Sequence, residues 1–112
     1  MGIFHHHAIV VTSCDYDSID RAHRQAITCR LSPSEITPKV VNGYRSFFIP
    51  PDGSKEGWDA SNFGDERRSQ FLAWLRAESK KPGRSFCGEW IAVNFGELGQ
   101  GIDDCSVEED MP

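Results

Sequence analysis

Long apolar runs are missing from this chain of 112 residues: no stretch approaches the ~18 apolar residues that a membrane-spanning helix needs, so no membrane role is expected. Clustered positive charge is missing too. Twelve Lys and Arg face seventeen Asp and Glu, for a formal charge of -5, and no basic stripe is present to hold a phosphate backbone. Direct nucleic-acid binding is therefore disfavoured, and an acidic surface suits basic protein partners or small ligands. There is no C-x-x-C pair and no secretory signal ahead of Cys14, Cys29, Cys87 and Cys105. These widely spaced residues read as reduced thiols in a cytoplasm, not as a disulfide frame or a zinc ribbon. No Ser/His/Asp or Cys/His arrangement has supporting sequence context, so the chain is read as a non-enzyme. No internal repeat is visible.

What is present is enough for one packed domain: 38% of residues are hydrophobic and 11% aromatic. Near the start, "HHHAIVVTS" runs three histidines into a β-branched segment, and residues 3–12 read as a strand. Period-2 alternation puts His5, His7, Ile9 and Val11 on one face and Phe4, His6, Ala8 and Val10 on the other. Ile19, Ala22, His23, Ala26 and Ile27 then recur at helical spacing, with Asp17 as the expected N-cap and an end near Cys29. His23 falls on the apolar side of that helix and reads as a core or boundary residue.

The strongest local signal is "EITPKVVNGYRSFFIPP". Two β-rich arms flank Asn42-Gly43, the dipeptide suited to the positive φ angles of a type I′ turn, so a β-hairpin is expected. Pro38 makes its first arm an edge strand. "PPDGSKEGWDASN" reads as loop, residues 63–79 as a second helix and "SFCGEWIAVNFGE" as the last strand. Residues 97–112 read as a flexible acidic tail beyond a single α+β domain of residues 1–96. The order strand, helix, strand, strand, helix, strand gives a two-layer α+β sandwich of the ferredoxin-like βαββαβ kind: a four-stranded antiparallel sheet with both helices on one face. The strand ending at Phe95 would be open for pairing, making a homodimer one outcome.

On that topology the loops "TSCDYD" and "PPDGSKEGWDASN" are expected at one rim, facing each other across a groove. Thr12, Ser13, Ser54 and Lys55 at two helix N-termini could hold an anion. Asp15, Asp17, Asp52, Glu56 and Asp59 would oppose it, and instead suit a partner with a basic surface. His5 and His7 are placed on the sheet face away from the helices, beside Tyr44, Ser46 and Phe48, a surface able to stack on a flat ligand. The ligand-binding candidates are thus His5, His7, Tyr44, Arg45, Ser54, Lys55 and Trp58, and a small nucleotide is the ligand class considered. His5-x-His7 could supply two zinc ligands, but a third and fourth have no evident source, and no metal or cofactor is expected.

The strings "HHHAIVVTS" and "VNGYRSFFIPPDGSKEGW", with the acidic end, resemble a family of short uncharacterised proteins encoded by tailed bacteriophages and prophages. The resemblance spans His5 to about Phe95 and brings no assigned catalytic residue. It implies expression in a host bacterial cytoplasm. By association it suggests an accessory protein that binds a host protein, for example to inhibit an antiviral defence system. A nucleotide-sequestering protein and a virion component are the alternatives.

Overall fold

The β-branched run from Ile9 to Thr12 forms the centre of the longest strand, β1 (His5–Ser13), and the rest of the sheet assembles around it. The structure is a computed structural model of the chain and describes residues 3–83 and 86–106. Along the sequence follow α1 (Tyr16–Thr28), β2 (Arg45–Ile49), α2 (Asp59–Lys80), β3 (Glu89–Gly96) and β4 (Gly99–Cys105). The four strands make one antiparallel sheet in the order β2-β1-β3-β4. The protein is therefore α+β, with an open four-stranded sheet and two helices, as expected. The βαββαβ order is not matched, and two departures account for the difference.

The first lies in the expected hairpin. The reversal itself is there: Asn42 and Gly43 have φ of 62° and 76°, as a type I′ turn requires, and the Tyr44 amide donates to the Val41 carbonyl at 3.4 Å. The arm before it, however, is no strand. Pro33 and Pro38 lack amide hydrogens, and only the amides of Ser34, Thr37 and Val40 reach β2, bonding the carbonyls of Phe48, Ser46 and Tyr44. Donors three residues apart cannot build a ladder whose period is two. Side chains complete the edge instead: the Phe48 amide donates to the Ser34 hydroxyl (2.9 Å) and the Ser46 amide to the Thr37 hydroxyl (3.0 Å).

The second departure is β4. Residues 99–105, expected in a structureless tail, pair with β3 from Gly96↔Gly99 to Ile91↔Cys105, with a bulge between Ala92 and Val93. β3 is consequently internal, not open for pairing, and the free edge passes to β4. Residues 107–112 of the expected tail, and Ser85 of the expected last strand, lie outside the described residues.

Both helices cover one side of the sheet. Asp15, not Asp17, caps α1 by accepting from the Ser18 amide at 3.2 Å, because the helix starts two residues earlier than its apolar spacing suggested. Ile19, Ala22 and Ala26 of α1 and Phe71 and Leu75 of α2 are buried against Ile9, Val11, Phe47, Ile49, Trp90 and Ala92 of the strands. Phe86 joins the same core. α2 begins at Asp59, four residues before its expected start, and leaves Phe63 exposed. Among the described residues no helix is long and apolar enough to cross a membrane.

Candidate functional site

The antiparallel pairing of β1 and β2 decides where the polar loops go. Arg45, the start of β2, pairs with Ser13, the end of β1, so the chain leaves β2 at the opposite end of the sheet from "TSCDYD". The loop of residues 50–58 closes onto the start of β1 instead: Lys55 bridges Phe4, and the Glu56 amide donates to the Ile3 carbonyl at 2.8 Å. The nine residues of β1 hold the two loops roughly 30 Å apart. The expected groove does not exist, and Thr12 and Ser13 do not face Ser54 and Lys55.

The candidates divide accordingly. Tyr44 and Arg45 lie at the α1 end with Asp15 and Asp17, and the Arg45 guanidinium stacks 4.9 Å from the Tyr16 ring centre. His5, His7, Ser54, Lys55 and Trp58 lie at the other end with Asp52, Glu56 and Asp59. Several of these side chains serve the fold. Asp15 is a helix cap, and Asp52 accepts from the Ser54 amide (2.8 Å) and hydroxyl (2.6 Å) in a tight local turn. Partial burial opposes ionisation of Asp52, but the two Ser54 bonds and the Arg68 guanidinium at 4.0 Å outweigh it, holding the carboxyl below its ordinary pKa. The backbone of Gly64 makes room for this carboxylate, since a Cβ there would sit 2.7 Å from Asp52 Oδ2.

The histidines separate by parity, as period-2 geometry requires, but onto the reverse faces from those expected. His5 and His7 share their face with the buried Ile9 and Val11, on the helix side. There they belong to a polar chain: His5 Nε2 donates to Asn94 Oδ1 (2.8 Å) and Asn94 Nδ2 to Asp103 Oδ1 (2.6 Å). His7 Nδ1 meets Asp103 Oδ2 at 3.0 Å, and its Nε2 meets Glu56 at 3.4 Å. This chain fastens β4 and the residue 50–58 loop to β1. Among the described residues no group of three or more His, Cys, Asp or Glu side chains is arranged to hold a metal ion. His23 holds the Ser34 carbonyl at 2.9 Å and presents its edge to Phe47, consistent with a boundary role.

Among the described residues, neither helix nor loop lies over the centre of the sheet face away from the helices. Register places Phe48, Val10, Ile91 and Cys105 in one cross-strand row and Val93 and Ile102 in the next. Ser46 and Phe48 do lie here, as expected. The apolar side chains are open to solvent: Val10 is 39% exposed, Phe48 44%, Phe95 42% and Ile102 65%. A shallow cleft of about 350 Å³ runs between Val10, Thr12, Ile91 and Cys105. At the far end an aromatic and cationic strip forms, Phe95 to His6 at 5.3 Å, His6 to Phe4 at 6.3 Å, then Lys55 lying 4.9 Å from the Phe4 ring and 5.9 Å from Trp58. Alternation in the sequence placed Phe4 and His6 on one face and made Ile91, Val93 and Phe95 one series, but none of them was counted among the binding candidates. Their signal was alternation in β3, but with both faces apolar it could not say which one the helices take.

At the near end, negative charge at Cys14 first, then at Glu89, keeps the Tyr44 phenol protonated to higher pH than usual. A separate cleft of about 410 Å³ lies between the end of α1 and α2, where Arg30, Arg67 and the exposed Phe63 converge with Glu66 on its wall. No protein-family model, no curated protein and no solved structure matches the chain.

Proposed function

We propose that this chain is a non-catalytic binding protein that docks a protein partner on the uncovered face of its sheet. The observation that carries this reading is the open apolar array of Val10, Phe48, Phe95 and Ile102 on a sheet whose other face already supplies the core. A surface of this kind marks an interaction site. Four strands about 4.8 Å apart and roughly 17–30 Å long present on the order of 500 Å², short of the ~800 Å² that a stable partner usually covers. The partner must also touch the rim, where Lys55 and Trp58 stand at one end and Tyr16 and Tyr44 at the other. With a net charge of -5 and Asp15, Asp17, Asp52 and Asp59 near the two ends, the matching surface has an apolar centre and basic margins.

On the resemblance to short phage proteins, the proposed partner is a protein of a host bacterium and the proposed role is to block a defence component. Bait experiments in bacterial lysate at low salt test it. The wild-type chain should retain a protein that salt releases and that Val10→Asp with Phe48→Asp abolishes, while Arg21→Asp on the exposed side of α1 leaves capture intact. Equal capture by the double variant would end the proposal. Recovery of the chain in purified virions would support the structural alternative instead.

A second reading, a nucleotide binder, draws on the α1–α2 cleft, where two guanidiniums and an aromatic ring could hold phosphate and base. It relies on Arg30, Arg67 and Phe63, not on Arg45 and Lys55, which stand at opposite ends of the sheet. A nucleotide panel should raise the Tm of the wild type but not of Arg30→Ala with Arg67→Ala; an unmoved melting curve removes this reading.

A further inference from the structure

We propose that Cys14 and Cys87 form an oxidisable dithiol at the Tyr44 end of the uncovered sheet face, closing to an intramolecular disulfide. The β1–β3 ladder ends on the pair Thr12↔Glu89. Neither cysteine is in the ladder, but continuing the same register two steps along both segments would bring Cys14 opposite Cys87. The segments stay together over those steps. The Ser13 hydroxyl donates to the Cys87 carbonyl, and the Cys87 amide donates to the Ser18 hydroxyl at 2.9 Å. A Cβ on Gly88 would lie 3.0 Å from the Ser13 Cβ and 2.5 Å from the Thr12 carbonyl, so glycine at this position permits an approach that a side chain would prevent.

Both residues are exposed, and the same continuation would turn both thiols to the face that carries Thr12 and Glu89. Tyr44, opposite Cys14 in the continued β1–β2 register, senses both of them. Residues directly opposed in an antiparallel pair have Cα atoms about 4.5–5.5 Å apart, inside the roughly 4.4–6.8 Å span that a disulfide accepts. The other two cysteines are poorly placed to compete. Cys29 is buried at the end of α1, and Cys105 lies beside Ile91, four residues or roughly 13 Å along β3 from Cys87.

The oxidant is a hydroperoxide. It transfers one oxygen to the first thiolate, giving a sulfenic acid and an alcohol, or water when the oxidant is hydrogen peroxide. The second thiolate attacks that sulfur and the oxygen leaves as water, so two electrons and two thiol protons end on the oxidant. The bond ties the end of β1 to the segment entering β3 and fixes the Tyr44 end of the open face.

The full chain is treated with hydrogen peroxide, quenched with iodoacetamide and digested without reduction. The expected product is a monomer lighter by two hydrogens, with one cross-linked peptide pair containing Cys14 and Cys87 and with Cys29 and Cys105 alkylated. Its Tm should rise by several degrees and return with dithiothreitol. Cys14→Ser and Cys87→Ser, each checked for native circular dichroism, should lose both the cross-link and the rise. The proposal is overturned if the bridge involves Cys105 or a second chain, or if Cys14 and Cys87 are alkylated or over-oxidised without bridging each other.

Discussion

The two faces of the sheet are cut from the same strands, yet one is sealed and the other open. On the helix side Ile9, Val11, Phe47, Trp90 and Ala92 are at most 5% exposed; one residue along, Val10 and Phe48 are 39% and 44% exposed. An antiparallel sheet with one solvated face ordinarily alternates apolar inward with polar outward. This one does not. The exposed parts of Val10, Phe48, Phe95 and Ile102 forgo roughly 25 cal/mol per Å² of apolar area that burial would contribute, which is what the proposed docking role would recover. The comparison separates residues that stabilise from residues proposed to dock, and adjacent positions in one strand can test it.

The largest contrast is between Phe47 and Phe48. Phe47 is 2% exposed, with Phe71 at 6.5 Å and His23 at 5.1 Å between ring centres. Phe47→Ala should cost about 3–5 kcal/mol, a large share of a typical domain's stability, and Phe48→Ala under ~1 kcal/mol. Urea unfolding of the two variants reads the difference directly. Similar losses would mean that the outer face is covered in solution and that the distinction between the faces is mistaken.

A smaller contrast lies in the histidine run. His7 touches Asp103 and Glu56 and so links three segments, whereas His6 only stacks between Phe4 and Phe95. His7→Ala should lower stability by about 1–2 kcal/mol, at a typical net value per hydrogen bond, and His6→Ala by less than ~0.5 kcal/mol. Partner capture should show the reverse order, with His6→Ala the more damaging. If His6→Ala proves the less stable of the two, the assignment of faces at this end of β1 fails.

How much of this was legible in the sequence follows from the same physics. The Asn42-Gly43 reversal could be read because positive φ at two successive residues is a local demand that few dipeptides meet. Helix α1 was legible from its apolar spacing. Strand β4 was not: "GQGIDDC" has little β-propensity, and its pairing depends on side chains remote in sequence, His7 and Asn94 on Asp103 and Arg76 on Asp104. The arm of residues 31–40 lies beside β2 as expected but is denied a ladder by its prolines. Parity correctly grouped His5 with His7. Which group faced the helices was beyond it, because β1 and β3 are apolar on both sides. Lys55 and Trp58 were rightly grouped, and the partner they lacked was Phe4 instead of the odd-numbered histidines.

The smallest expected effect concerns Asp52, whose loop presents Lys55 and Trp58 to the rim of the open face. Folding lowers the pKa of this carboxyl, so the folded state favours its charged form. Its contribution to stability is fully present above the unfolded pKa and is lost as pH falls through the lower, folded value. Asp52→Asn should therefore be less stable than wild type at neutral pH, with urea midpoints that converge as the solution becomes more acid than the ordinary carboxylate range. Solvent screening keeps the gap small, since the side chain is 46% exposed. The loop carries the rim but not the core, so the same variant should weaken partner capture more than it weakens the fold. A midpoint difference that stays constant from neutral to acid pH would show that the Ser54 and Arg68 contacts do not favour the charged carboxylate. The strip from Phe95 to Trp58 would then be held in place by the packing of Lys55 on Phe4, the Glu56–Ile3 backbone bond and the His7–Glu56 contact.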